Sequence, residues 1–203
     1  MLLEIACFNL QSCLIAQKAG AHRVELCENY SVGGITPSEN LIIEARKNLQ
    51  IDLFVMIRPR EGNFIYSEKE IEQMKSKIQF CKQHNCNGVV FGILTGEDAV
   101  DKKRCEELVE LAKPMQCTFH RAFDEIQDSE KALEEIIECG FKRILTSGRQ
   151  KTALQGIELI KTLITKAKER IIIMPGGGIR SSNISELVFK TQAKEFHSAA
   201  TLN

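Results

Sequence analysis

The sequence predicts an α/β fold of the TIM-type (βα)8-barrel class. Eight short β-type runs alternate with helical patterns along the 203 residues. One of these runs, at 117–124, ends in charged side chains directly before a helix, which is typical of the C-terminal face of a barrel. No linker rich in Pro, Gly or Ser interrupts the alternation, so a single domain over 1–203 is expected. A doubly wound open sheet is the structural alternative.

The first half of the chain supplies four strand-and-helix pairs. Its β-type runs lie at 2–7, 23–27, 52–57 and 88–92. A first helix begins near Asn9 and ends at Gly20, which suits the position after a helix. Capping boxes at Thr36–Glu39 and Ser67–Glu70 predict where the second and third helices begin. A charged helix over 101–113 follows the fourth strand.

The second half repeats the alternation. Its β-type runs begin at Cys117 and lie at 142–146, 170–174 and 194–198. Asp128 or Ser129 is the predicted N-cap of the helix after Cys117, and Gly140 follows its end. Further helices are predicted over 154–164 and 182–190. No helical pattern follows the last strand, so we expect the eighth helix to be missing or atypical.

Composition excludes several classes of function. Lys plus Arg and Asp plus Glu are both 27, and this balance argues against nucleic-acid binding. The chain has no polybasic run, signal-peptide pattern or long apolar segment, so no membrane partner is expected. Its eight cysteines are scattered without a CxxC pair. We therefore expect reduced thiols in a cytoplasmic protein.

The stretch from Cys117 to Asp124 is the strongest candidate for chemistry. His120, Arg121 and Asp124 supply an acid/base, a fixed cation and a carboxylate within five residues. Asp124 is expected to orient His120 and to tune its pKa near neutrality. In the alternative interpretation, the two side chains only orient each other and a loop.

An anion site is the second candidate. Gly176–Gly178 after the seventh strand resembles a phosphate cradle, which Ser147 after the sixth strand could join. Arg58 and Arg60, two residues apart, could clamp a carboxylate or phosphate. The alternatives are a tight glycine turn, and an internal ion network of these arginines with Glu25 or Glu4.

Cysteines mark a third candidate, a metal site. Cys7 and Cys27 end the first two strands, which are neighbours in a barrel, and two thiolates there could bind Cu(I). Two small buried thiols are the alternative. Glu25 and His197, also near strand ends, are candidates to share proton transfer. In a barrel, all these groups would converge at one end.

Several segments together resemble the CutC family, named for copper homeostasis. They are 4–7, 23–27, 33–38, 56–60, 88–92, 118–124, 144–148, 175–179 and 195–198. The segment Thr118–Asp124 and the triple-glycine turn are the most specific of these. The resemblance implies a TIM-barrel-like fold, a cytoplasmic homo-oligomer, and copper ligands that match Cys7 and Cys27. Longer members of the family continue past the last strand, whereas this sequence stops a few residues after it. The closure of the barrel is therefore the feature in which we expect this protein to depart from the family.

Three functional hypotheses follow. The first is handling of Cu(I) by Cys7 and Cys27. The second is an enzyme that acts on a small anionic substrate, with His120 as acid/base and the arginines and glycines as anion ligands. The third is a non-catalytic scaffold. A homodimer or higher homo-oligomer is expected, because without an eighth helix an apolar face would need cover.

Overall fold

The core of the protein is a barrel of eight parallel strands. The computed structural model describes residues 1–199. The strands are β1 (Leu2–Cys7), β2 (Arg23–Leu26), β3 (Asp52–Met56), β4 (Gly88–Phe91), β5 (Gln116–Phe119), β6 (Arg143–Thr146), β7 (Ile172–Pro175) and β8 (Glu195–Ala199). They pair in the order β7-β6-β5-β4-β3-β2-β1-β8. From β1 to β7, each strand pairs with the next one in the chain, without the reversal of strand order that a doubly wound sheet shows. The barrel prediction is therefore confirmed, and the doubly wound alternative is wrong.

Closure of the barrel depends on its first and last strands. β1 pairs with β8 over five residue pairs, from Leu2 with Glu195 to Ala6 with Ala199. A parallel bridge between Gly176 and His197 then joins the end of β7 to β8. The triple-glycine turn and His197 are therefore adjacent where the end of β7 meets β8.

Helices connect the strands on the outside. They are α1 (Leu10–Lys18), α2 (Glu39–Asn48), α3 (Glu68–Gln83), α4 (Lys102–Ala112), α5 (Ser129–Glu138), α6 (Ile157–Ala167) and α7 (Ile184–Thr191). Of these helices, all within residues 1–199, none combines the length and apolar composition that crossing a bilayer requires. The predicted absence of an eighth helix concerns residues 200–203, which lie outside the described part of the chain.

Helix starts follow the capping signals with one exception. The Ser67–Glu70 capping box and the Asp128 cap are both present. The predicted box on Thr36 is wrong, because α2 begins at Glu39 after Ser38. The Thr36 hydroxyl instead accepts the backbone N–H of Arg58 at 2.8 Å. This bond ties the loop after β2 to the end of β3.

Two different cores lie on the two sides of the barrel wall. Between strands and helices the packing is apolar, as the buried residues of α3 show. Inside the barrel, Arg23 bonds to Glu4 and, at 2.6 Å, to Glu195, which also accepts from Arg143 at 3.1 Å. Both guanidinium groups stack on the ring of Phe54. The bottom of the barrel is therefore filled by an internal ion network.

Candidate active site

A cavity of about 260 Å³ opens at the C-terminal ends of the strands. Its acidic, basic and histidine lining residues are Glu25, Arg58, His120, Arg121, Arg180 and His197. Four of them, Glu25, Arg58, His120 and His197, are buried. The volume lies just below the ~300–1,000 Å³ typical of drug-sized pockets, so the cavity suits a small molecule. Sequence analysis named five of these six residues and missed Arg180.

His120 is held by the backbone that follows it. It comes directly after β5, and its Nδ1 accepts the backbone N–H of Ala122 at 3.3 Å. Gly92 provides room, since a Cβ at that position would lie 2.8 Å from Nδ1. The ring also packs 4.7 Å from that of Phe64. The Nε2 atom is buried and has no hydrogen-bond partner among residues 1–199.

The electrostatics of His120 are opposite to the expectation from sequence. Burial, with a smaller effect of Arg58, lowers the pKa of the imidazole to about 3. The ring is therefore neutral at physiological pH. Because Nδ1 accepts a hydrogen bond, the single ring hydrogen lies on Nε2. The interpretation of His120 as a base with a near-neutral pKa is thus wrong for this structure.

Asp124 organises loops and does not orient His120. Its carboxylate accepts from the Thr146 hydroxyl at 2.5 Å, from the Ser147 N–H at 3.1 Å and from Arg121 Nε at 2.8 Å. The Arg149 N–H also donates to it, at 3.1 Å. The four residues that supply these donors lie at the end of β6 or on the loops after β5 and β6, so the carboxylate that was expected to face His120 is already occupied.

Glu25, His197 and Glu4 form a chain of titratable groups. His197 Nδ1 donates to Glu4 Oε1 at 2.7 Å, and its Nε2 lies 3.8 Å from Glu25 Oε2. Burial opposes ionisation of Glu4, but bonds to His197 and Arg23 lower its pKa to about 2. Burial raises the pKa of Glu25 to about 7, and its Oε1 has no partner within the described chain. The Cys27 thiol donates to the other oxygen, Oε2, at 3.7 Å, so Oε1 is the free carboxyl oxygen of Glu25 in the cavity.

The same three residues are a group with potential metal-ligand spacing. One ligand atom from each lies within 4.8 Å of the others. However, Glu4 Oε1 already accepts from His197 and Glu4 Oε2 from Arg23. A cation here would compete with the Arg23 guanidinium, so we interpret the group as part of the internal ion network.

The arginines named from the sequence separate into different places. Arg58 lines the cavity, but its guanidinium donates to the carbonyl oxygens of Val32, Gly34 and Gly62. Arg60 lies outside the cavity lining and bonds to Glu70 Oε1 at 2.6 Å. The clamp of Arg58 with Arg60 is therefore wrong, because β3 ends at Met56 and the chain after it is no longer a regular strand.

Arg121 is the arginine best placed for an anion. Its Nε bonds to Asp124 and one terminal nitrogen donates to the Ser147 hydroxyl at 2.8 Å. The other terminal nitrogen, Nη1, lies 3.6 Å from the position that a Cβ on Gly177 would occupy. Two fixed bonds therefore hold the guanidinium against the glycine turn.

The three glycines of the turn have two different roles. Gly176 donates its N–H to the Thr146 carbonyl and extends β7. Gly177 and Gly178 have φ values of +100° and +70°, which side-chain-bearing residues rarely adopt. Neither of their amide N–H groups has an acceptor among the residues that the structure describes. These two amides, with Arg121 beside them, have the form of an anion cradle.

Cys7 and Cys27 lie on opposite sides of the barrel wall. Cys7 packs in the layer between strands and helices, where Cys13 of α1 lowers its pKa. Cys27 packs inside the barrel with Phe54 and lines the cavity. Burial raises the pKa of Cys27 well above its ordinary value. The residues do not form a two-thiolate site in this arrangement, since strand pleating directs the two thiols apart.

Fold and cavity together define a class of protein. It is a (βα)8 barrel whose cavity, at the C-terminal ends of the strands, is lined by arginines, two histidines and a free carboxyl. In this fold, that end carries ligand sites and catalytic residues.

Within that class, the chain belongs to the CutC family, whose model matches residues 1–202. It is 45% identical over 199 residues to the human copper homeostasis protein cutC homolog, covering 98% of this chain and 73% of the relative. A CutC protein from Parabacteroides distasonis is 47% identical, with 98% and 82% covered. The crystal structure of a CutC protein from Streptococcus agalactiae superposes with a TM-score of 0.94 at 36% identity, covering 99% and 100%. The resemblance noted from sequence motifs is confirmed.

Proposed function

We propose that this CutC protein is an enzyme that acts on a small anionic substrate at the C-terminal mouth of the barrel. One observation carries the proposal: the cavity combines the proposed anion cradle of Gly177, Gly178 and Arg121 with lining residues that have three buried polar atoms without a partner in residues 1–199. These atoms are Glu25 Oε1, Arg58 Nε and His120 Nε2. Buried polar groups without partners are rare in proteins, so these atoms favour a binding site for a polar ligand.

The anion half of this proposal is tested by ligand-dependent stability. A ligand that binds only the folded state at 100 times its Kd stabilises by ~2.7 kcal/mol. We expect inorganic phosphate, or a phosphorylated or carboxylated metabolite from a screen, to raise Tm. The Arg121→Gln variant should lose this rise, because it removes the cation beside Gly177.

The matched control is Arg170→Gln, which breaks an exposed ion pair with Glu134 outside the cavity lining. It should keep the full ligand response. If no phosphate or carboxylate raises the Tm of the unmodified protein, or if both variants respond alike, the proposed anion site is wrong.

Copper handling is the second candidate function, favoured by the name of the human relative, a copper homeostasis protein. We propose it as Cu(I) binding that involves Cys7 and Cys27, which would require rearrangement of the β1 and β2 ends. The reduced protein is titrated with Cu(I) against a competing chelator. A variant with both cysteines changed to Ser should lose affinity, whereas Cys139→Ser should not. Equal affinity of all three proteins contradicts this candidate.

Compartment and assembly are proposed on independent grounds. All eight cysteines are free and buried, which suits a reducing compartment such as the cytoplasm. A homodimer is proposed from exposed apolar side chains on the helices next to the β1–β8 seam, and its test is given below.

A further inference from the structure

We infer that the cavity catalyses proton transfer at a carbon next to a carbonyl group of a small phosphate-bearing substrate, with His120 as a neutral hydrogen-bond donor and Glu25 as the base. The inference rests on the proposed function and adds the reaction class and the role of each side chain. It replaces the earlier assignment of His120 as the acid/base.

The role of His120 follows from its tautomer. The backbone N–H of Ala122 donates to Nδ1, so the neutral ring carries its hydrogen on Nε2, the atom without a partner in residues 1–199. A neutral imidazole is a donor that does not compete for the substrate proton. In triosephosphate isomerase, a neutral histidine of this kind polarises the substrate carbonyl. His120 is therefore suited to stabilise negative charge that develops on a carbonyl oxygen.

The base lies on the other side of the barrel mouth. Glu25 is on β2 and His120 follows β5, so two strands separate them in one direction and four in the other. The free Oε1 of Glu25 is buried, and Oε2 lies 3.8 Å from His197 Nε2. Glu4 holds His197 from the other side through Nδ1. A substrate between β2 and β5 would contact base and donor at once.

The phosphate is assigned to the cradle at the end of β7. The amides of Gly177 and Gly178 have no acceptor within the described residues, and the Arg121 guanidinium is fixed beside them. (βα)8 barrels frequently bind phosphate at their seventh and eighth strands. This position leaves the remaining part of the ligand to extend toward His120 and Glu25, which line the same cavity.

The reaction balances without a cofactor. The substrate C–H bond breaks, and its proton forms an O–H bond with the Glu25 carboxylate. The electron pair forms a C=C bond, while the carbonyl π pair moves onto oxygen, where the Nε2–H of His120 and the nearby cations stabilise the enolate. Return of the proton from Glu25 to the same carbon completes exchange. Where that carbon carries a hydroxyl, its O–H proton moves to the former carbonyl oxygen, and return of the Glu25 proton to the neighbouring carbon then completes isomerisation. No oxidant or reductant is consumed.

The test uses 2-phosphoglycolate, whose planar carboxylate beside a phosphate imitates an enediolate. We expect it to bind more tightly than inorganic phosphate. His120→Asn keeps an acceptor near Nδ1 for the Ala122 N–H but removes the Nε2 donor. It should weaken 2-phosphoglycolate binding about 10- to 100-fold, as expected for loss of a hydrogen bond to a charged group, and leave phosphate affinity unchanged. His120→Gln, which retains a donor near Nε2, should keep part of the preference.

The outcomes separate this inference from the proposed function. If phosphate and 2-phosphoglycolate bind equally, or if His120→Asn keeps the preference, the roles assigned here are wrong while the anion site stands. If neither compound binds, both are wrong. Should His120→Asn fail to fold, ¹⁵N-histidine spectra of the unmodified protein decide. A neutral Nε2–H tautomer whose proton shifts on adding 2-phosphoglycolate supports the inference, and an imidazolium or an Nδ1–H tautomer overturns it.

Discussion

At the scale of single residues, hydrogen bonds inside the barrel determine which cavity groups remain free. Glu4 uses both oxygens, on His197 and Arg23, and Asp124 accepts from four residues at the end of β6 and on the loops after β5 and β6. Glu25 and His120 each keep one buried atom without a partner in residues 1–199. Reactivity is therefore expected at these two residues and not at the carboxylates around them.

The neutral state of His120 predicts a pH dependence of stability. Burial, aided by Arg58, lowers its pKa to about 3 in the folded protein, against about 6.5 unfolded. At a pH between these two values, the unfolded state therefore binds a proton at His120 and the folded state does not. The free energy of unfolding should fall as pH decreases below about 6.5, by ~2 kcal/mol at pH 5 from this residue alone.

Urea denaturation at pH 7 and pH 5 measures this effect. His120→Asn lacks the titrating group, so its stability should decline less over this interval, while every other titrating group is common to both proteins. Parallel pH profiles for the two proteins would show that His120 protonates normally and would contradict the buried neutral ring.

Sequence alone could name the site residues but not their electrostatic roles. His120, Glu25, His197, Arg58 and Arg121 were found because they lie at or near strand ends, and these converge in a barrel. Their partners were not predictable, because the Glu4–His197 bond joins positions 193 residues apart. Sequence proximity of His120 to Asp124 suggested a pair that the 3₁₀ segment Arg121–Glu125 does not form.

At the scale of secondary structure, local capping chemistry sets the boundaries of the helices. In α3, the Ser67 hydroxyl accepts the Glu70 N–H while Glu70 accepts the Ser67 N–H at 2.7 Å. Removing this reciprocal pair leaves two N–H groups of the first turn unsatisfied. The cap therefore contributes to stability independently of the apolar face of α3.

We predict that Ser67→Ala lowers the free energy of unfolding by about 1 kcal/mol, the usual cost of an N-cap loss. Ser76→Ala is the matched control, since Ser76 is an exposed residue within the same helix. It should be neutral or slightly stabilising because Ala has the higher helix propensity. Equal destabilisation by both substitutions in urea denaturation would contradict a role for the cap.

The order of helices and strands was largely predictable, because local sequence patterns determine where these elements form. Apolar strands between capped helices repeat along the chain, and each of the eight predicted strands is present in the structure. The error at Thr36 arose because Arg58, 22 positions away, supplies a donor that the hydroxyl accepts. Short-range patterns fixed the order of elements, whereas contacts between distant loops decided the cap.

At the scale of the whole molecule, the β8–β1 seam differs from the rest of the barrel. α7 precedes β8 and α1 follows β1, so these two helices flank the seam. Phe189 on α7 is 79% exposed and Ile15 on α1 is 58% exposed. Leu3 and Ile5 of β1 are only partly buried. A contiguous apolar patch marks an interaction surface, and we propose that these residues of the two flanking helices and β1 form one.

The dimer proposal is therefore tested at this face. Light scattering at micromolar concentration should give about twice the chain mass of 22.9 kDa. Phe189→Lys places a charge where an apolar contact is proposed, and it should shift the protein to the monomeric mass. Ile65→Lys, at a half-exposed residue after β3, is the matched control and should leave the mass unchanged. Burying a lysine in an apolar contact without a partner is strongly unfavourable, so a dimer that persists in Phe189→Lys would place the association elsewhere. A monomeric unmodified protein would exclude the dimer.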